Sequence, residues 1–123
     1  MVEIIHSKES MILHAVDDSK VIGYLKYSTI NNRKKNRQID YLYVDIPYRH
    51  QGVASKLLSY IIEYSKDMNW ISLWTGMETE VDESYVIYEK FGFKQLVVLE
   101  DCYEDGIPSR LFVKNMRKEN NEK

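Results

Sequence analysis

Two short segments of this 123-residue chain hold residue types at spacings suited to chemistry. The first is Arg49-His50-Gln51-Gly52-Val53-Ala54-Ser55-Lys56. Small residues at positions 52 and 54 let backbone come close to a ligand. Arg49 and Lys56 supply cations that can contact phosphate oxygens. A helix that begins here leaves N–H groups without intrahelical acceptors and a partial positive charge, so it attracts anions. The second segment is Tyr88-Glu89-Lys90-Phe91-Gly92-Phe93. A tyrosine ordinarily titrates near 10, so at neutral pH it holds a proton that it can donate.

The elements that must position these residues follow from the apolar pattern. Gln38 to Val44, rich in aromatic and β-branched residues, reads as a strand leading into the first segment. Behind it, Ala54, Leu57, Leu58, Ile61, Ile62 and Ser65 share one helical face, which predicts a helix from Gly52 to about Met68. Val2 to His6, Met11 to Val16 and Val21 to Ser28 read as earlier strands, with Asp17-Asp18-Ser19-Lys20 as a tight turn. The basic run Arg33-Lys34-Lys35-Asn36-Arg37 reads as the solvated loop of a hairpin, with a phosphate-binding patch as the other reading. Trp70 to Thr75 is a fifth strand, and because it follows a helix it is expected parallel. A second helix, capped by Thr79 or Asp82, runs to Phe91 and stops at Gly92. Phe93 to Glu100 and Arg110 to Asn115 complete the strands, joined by a turn at Glu104-Asp105-Gly106. The order predicts an α+β fold with a mixed, mostly antiparallel sheet and two core helices. Residues 1–117 read as one domain and 118–123 as a charged tail.

Two phosphate loops fail here. The nucleotide P-loop needs Gly-Lys followed by Ser or Thr, and the dinucleotide fingerprint needs three spaced glycines. A third pattern, Arg or Gln, two residues, Gly, one residue, then Gly or Ala, fits residues 49–54. Together with Tyr88-x-x-x-Gly92-Phe93 and the approach Leu42-Tyr43-Val44-Asp45, it resembles the GNAT superfamily of N-acetyltransferases over about residues 20 to 116. That resemblance implies the acyl-CoA N-acyltransferase fold, with acetyl-CoA as cosubstrate and no metal. It implies that the pyrophosphate sits on the backbone of Gln51, Gly52, Val53, Ala54, Ser55 and Lys56, with Arg49 and His50 in the same loop. It implies that the pantetheine arm pairs with Leu42, Tyr43 and Val44, where an N–H would also stabilise an oxyanion. Tyr88 is then the general acid for the departing thiolate, or else a core aromatic beside Tyr85. Asp40 is the chosen general base. Glu78 and Glu80 are alternatives, and His14 and His50 qualify by their ordinary titration range.

The chain departs from that family in one large respect. Only Ser7 to Ser10 separate the first two strands, so the helices that usually lie there do not fit. The acceptor side is therefore expected to be open. That predicts a large or flexible acceptor, a pocket closed by a homodimer, or a weakened enzyme. Val81 and Ser84 stand where the family often has asparagine and alanine.

A net charge of −2 gives no global field for nucleic acid. No apolar run approaches the roughly 18 residues of a membrane span, and no signal peptide is evident. Cys102 is the single cysteine, which excludes an internal disulfide and suggests a reducing compartment, the cytoplasm. A nucleophilic Cys102 has no supporting motif. The expected activity is acetyl transfer from acetyl-CoA to a primary amine, on a small molecule, a protein lysine or a protein N-terminus. The alternative is an acetyl-CoA-binding regulatory module without turnover.

Overall fold

The computed structural model describes residues 1–30, 33–75, 83–100 and 109–117. In chain order it contains β1 (Val2–Ser7), β2 (Ile12–Asp17), β3 (Lys20–Ile30), β4 (Arg33–Val44), α1 (Val53–Tyr64), β5 (Trp70–Thr75), α2 (Glu83–Lys90), β6 (Lys94–Leu99) and β7 (Ser109–Asn115). These strands form one seven-stranded sheet in the order β1-β2-β3-β4-β5-β7-β6. Only β4 and β5 are parallel neighbours; the other adjacent pairs are antiparallel. The architecture is the expected α+β mixed sheet with two helices.

Connectivity decides where the helices go. The crossovers β4–α1–β5 and β5–α2–β6 both advance toward the β6 edge. A right-handed crossover in a constant direction places its helix on a constant face. Packing agrees: Leu57, Leu58 and Ile61 of α1 and Tyr88 of α2 join one core with Ile39, Ile71, Leu73 and Phe112 of the sheet.

Two expectations change, and others fall outside the described residues. The basic run is not a loop, because Arg33 to Arg37 lie within β4 and Arg37 is buried. The first helix ends at Tyr64 rather than Met68, where Ser65 leaves helical geometry and caps it. The proposed caps Thr79 and Asp82, the turn at 104–106, Cys102 and the tail 118–123 lie outside the described residues.

Arg37 explains two of these differences together. Its Nη1 donates to Ser65 Oγ at 2.8 Å, under the end of α1. Its guanidinium lies 5.0 Å from the Tyr27 ring and 4.8 Å from the Tyr64 ring. With no carboxylate beside it among the described residues, the buried guanidinium is accommodated by stacking on two aromatic faces. Alongside, His6 Nε2 hydrogen-bonds the Tyr27 hydroxyl at 2.6 Å and its Nδ1 the Tyr60 hydroxyl at 3.2 Å. The cluster ties β1, β3 and β4 to α1. Burial holds the His6 pKa below its ordinary value, helped by the positive charges of Lys8 and Arg37. Burial, then the neighbouring Tyr64, pushes the Tyr27 phenol up to about 12.

The end of α2 is built by Tyr88-x-x-x-Gly92-Phe93. Phe93 N–H donates to the Tyr88 carbonyl at 3.0 Å and Gly92 N–H to the Glu89 carbonyl at 3.0 Å. Gly92 has φ of +90°. This is a Schellman stop, completed by the apolar contact of Tyr88 with Phe93, whose ring centroids are 6.3 Å apart.

Two predictions follow from these contacts. A Cβ at residue 92 would also stand 2.5 Å from Lys114 Nζ. Gly92→Ala should therefore cost about 1–2 kcal/mol of stability, read by urea unfolding; an unchanged midpoint would contradict the cap. For His6, the unfolded imidazole takes up its proton near 6.5 while the folded one resists to lower pH, so protonation favours unfolding. Melting temperature should hold above pH 6.5 and fall as the pH drops from there through the folded pKa. His6→Gln should flatten that part of the profile, and an equal slope in the variant would remove His6 from the explanation.

Candidate active site

The site begins where a ladder stops. β4 and β5 pair only from Asn36↔Trp70 to Ile39↔Leu73. Both strands continue, β4 to Val44 and β5 to Thr75, without pairing to each other. Asp40 is the reason. Tyr27 pairs with Ile39 and Lys26 with Tyr41, so Asp40 is an extra residue with no partner on β3. Such a bulge bends the strand and sharpens its twist. It also switches facing, since Arg37 and Ile39 are buried before it and Val44 after it. On its other side, β4 stays paired to β3 as far as Gly23↔Val44. The result is a fork in the sheet with one arm, Asp40 to Val44, held by β3.

The open arm leads into the anion loop. A short 3-10 turn, Ile46–Tyr48, follows Asp45. His50 and Gly52 then take φ of 64° and 85°. Gly52 is the N-cap of α1, with no side-chain cap and no acidic residue in the first turn. The first helical bond runs from Lys56 N–H to the Gly52 carbonyl at 3.1 Å. The N–H groups of Val53, Ala54 and Ser55 therefore precede the ladder, whereas that of Lys56, expected among the phosphate donors, is already used. A Cβ at Gly52 would meet nothing within 4 Å, so the glycine serves the left-handed conformation and the space in front is open.

The two cations are placed differently. Arg49 Nε donates to the Val44 carbonyl at 2.8 Å and its guanidinium lies 5.5 Å from the Tyr43 ring. It thereby bridges the open arm and the loop. Lys56 is exposed, and its Nζ donates to the Val2 carbonyl at 3.3 Å on β1.

Tyr88 is buried, 4 % exposed, with its ring 5.4 Å from Phe112. Phe112 pairs with Leu73, and Leu73 with Ile39. Tyr88 thus stands over the last row in which β4 and β5 are joined, and Asp40 is the next residue of β4. One Asp40 oxygen, Oδ1, accepts from Gln38 Nε2 at 2.9 Å and Ser28 Oγ at 3.2 Å. Neither Gln38 nor Ser28 is among the site residues that the sequence points to. Both orient the candidate base, and the bulge that brings them together is a matter of register. His14 lies on β2 and His50 in the loop; Glu78 and Glu80 are outside the described residues.

The arrangement offers a strand edge for an extended ligand, N–H groups for an anion, a carboxylate and a phenol at the fork. Comparison with known proteins gives the same direction. The acetyltransferase (GNAT) family model matches residues 2–93. Human N-acetyltransferase 8 is 25% identical over 84 residues, which is 66% of this chain and 37% of that protein, so the chain spans little more than a third of its length. Ard1 from Thermoplasma volcanium superposes with a TM-score of 0.76 at 21% identity, covering 88% of this chain and 72% of that one. The ribosomal-protein-S18-alanine N-acetyltransferase from Escherichia coli superposes with a TM-score of 0.77 at 13% identity, covering 90% and 71%. At such identities the solved structures establish the fold. The family model extends over most of the chain, and on that ground the chain belongs to the GNAT family of acetyltransferases.

Proposed function

We propose that this chain transfers an acetyl group from acetyl-CoA to a primary amine by direct attack. The observation that carries the reading is the fork, whose free arm ends at an uncapped helix N-terminus. The pantetheine amides would pair with the Leu42-Tyr43-Val44 edge as an added strand. The pyrophosphate would lie on the N–H groups of Val53 to Ser55, with Arg49 at the turn between arm and loop. An N–H of the open arm would stabilise the oxyanion.

The amine nitrogen attacks the thioester carbonyl, and Asp40 takes the proton the nitrogen sheds, directly or through water. The tetrahedral intermediate collapses, the C–S bond breaks, and the Tyr88 hydroxyl protonates the thiolate. The products are an amide and CoA. The acceptor is an amine on a small molecule, a lysine or a protein N-terminus; the named acceptor of the Escherichia coli neighbour, a protein alanine, favours the last. The single cysteine favours a cytoplasmic setting.

Acetyl-CoA at a hundredfold excess over its Kd should stabilise the protein by about 2.7 kcal/mol, seen as a raised melting temperature. With an amine panel that includes peptide N-termini, thiol release should follow. Tyr88→Phe keeps the ring that caps α2 and removes only the hydroxyl. It should leave CoA binding intact and lower kcat on the order of 100-fold. Asp40→Asn should do the same, with a loss that rising pH does not repair. CoA binding without release on any amine would make the chain a binding module instead, and no melting shift would remove the cofactor reading.

A further inference from the structure

Both helices pack on one face of the sheet, and among the described residues no helix lies on the other. An amine can therefore approach Asp40 from that open face, and the bulge decides what it meets. A bulge sets two consecutive residues on one side of a strand. Ile39 and Leu42 face the helices with their partners Tyr27 and Leu25, both buried. Asp40 and Tyr41 lie between them and share the open face, where Asp40 meets Ser28 and Gln38 and Tyr41 pairs with Lys26. Across the fork, Leu73 is buried on the helix face, so Trp74, the first residue of the β5 arm, stands on the open face too. Tyr41 is 57% exposed and Trp74 40%. One aromatic ring thus rises from each arm of the fork, with a carboxylate at the vertex between them.

The closed side of the vertex is polar. Ser28, Gln38 and Ser72 form one cross-strand row over β3, β4 and β5. Ser28 and Gln38 both donate to Asp40 Oδ1, and among the described residues nothing donates to Oδ2. Charge near the fork is sparse. Among the described residues, Asp40 holds the only carboxylate that the register sets on this face beside the fork; Glu3 lies in the row of Val16 and Val21 on the edge strand β1. Lys26 stands beside Tyr41, its ammonium on the Tyr27 carbonyl at 3.1 Å.

We propose that the acceptor is a 2-arylethylamine, a primary amine carried two carbons from an aromatic ring. The ring lies against Trp74 and Tyr41 while the nitrogen reaches Asp40 Oδ2. The proposal rests on the transfer reading above and names its acceptor class. The nitrogen gains the acetyl group, the C–S bond breaks, one amine proton passes to Asp40, and the sulfur takes the Tyr88 proton. Three arguments select this class. Consecutive Cα atoms are about 3.8 Å apart, so a linker of about two carbons keeps a ring against Tyr41 while the nitrogen is at its neighbour Asp40. A flat ring makes stacked or edge contacts with both side chains, which the methylene chain of a lysine does not. A polyamine brings further positive charges, which Lys26 repels and for which the described part of this face offers no second carboxylate beside the fork. The same unit occurs as a free amine and as the first residue of a peptide that begins with an aromatic residue, and an open face admits both.

Thiol release by the full chain with acetyl-CoA tests the class. The panel is 2-phenylethylamine, a peptide beginning with phenylalanine, 2-cyclohexylethylamine, a peptide beginning with alanine, Nα-acetyl-lysine amide and spermidine. The two aryl substrates should exceed the others in kcat/KM by about tenfold. Trp74→Ala and Tyr41→Ala should each raise the KM of the aryl substrates by about fivefold and leave their kcat, and the alanine peptide, unchanged. Trp74→Phe should restore the wild-type KM. A lead of the phenylalanine peptide over 2-phenylethylamine names a protein N-terminus as the source, and the reverse a free amine; either supports the class. Equal or better kcat/KM on spermidine, the lysine amide or the cyclohexyl amine overturns it. So does a substitution at Trp74 or Tyr41 that raises KM for aryl and alkyl amines alike.

Binding separates this proposal from the reaction itself. In Trp70→Phe, Trp74 is the sole tryptophan. With CoA present, 2-phenylethylamine should shift its emission saturably, and spermidine should not. That shift without thiol release on any amine overturns the reaction and supports the aryl site. Turnover that prefers the chain amines supports the reaction and overturns the aryl site, as does the absence of any shift.

Discussion

The break in the ladder after Ile39↔Leu73 is the constraint on which the rest of the site depends. A strand that leaves its neighbour exposes N–H and C=O groups, and such groups must find partners or water. On β4 the exposure is confined to one side, because β3 remains paired through Val44. The arm is therefore rigid and half-satisfied, which is the condition for adding an extended ligand as a strand. The bulge at Asp40 does three things with one residue: it ends the parallel pairing, restores the inward facing of Val44, and presents a carboxylate at the vertex.

Opening a sheet at its centre weakens it unless each half is anchored elsewhere. The β6 side is held by β5–β7 pairing over the full length of β5, from Trp70↔Asn115 to Thr75↔Arg110. The closed end of the fork is held by Arg37, two residues before the last paired row. A buried cation is costly when unpaired. Here Ser65 and the faces of Tyr27 and Tyr64 take the place of a carboxylate. His6 lies beside it, its pKa lowered first by burial and then by the charges of Lys8 and Arg37. The clamp and the open arm thus lie on either side of Ile39, and the strength of one permits the looseness of the other.

The elements and the loop could be read in the sequence because local chemistry encodes them. Gly92 and Gly52 both occupy positive-φ positions, and each marks a helix end that the residue types alone announce. The order of strands and helices followed from periodicity. What escaped depended on partners distant in the chain. Five basic or polar residues in a row look like a solvated loop, yet Arg37 is buried because Tyr27, Tyr64 and Ser65 arrive from β3 and α1. The bulge at Asp40 leaves no mark in its own strand, since it is defined by what stands opposite on β3. Ser28 as a partner of Asp40 was invisible for the same reason. The short β1–β2 connection was legible, and its consequence, a face with no helix among the described residues, needed the topology.

Tyr88 shows why one motif is the more informative of the two. A glycine-containing anion loop arises readily, because any helix start with small residues supplies N–H groups. Tyr-x-x-x-Gly-Phe asks for more. The Tyr88 carbonyl accepts the bond from Phe93 that closes the helix, and its ring packs on Phe93 and Phe112. Neither duty uses the phenolic hydroxyl, since a phenylalanine would supply the same carbonyl and nearly the same ring. The cap fixes where the ring lies, over the row at which the fork opens, and that position gives a hydroxyl there a use. The cap and the packing draw on the Tyr88 carbonyl and ring, and the proposed chemistry draws on its hydroxyl. The stop at Gly92 does not compete with the proposed role of Tyr88; it is what holds that ring in place.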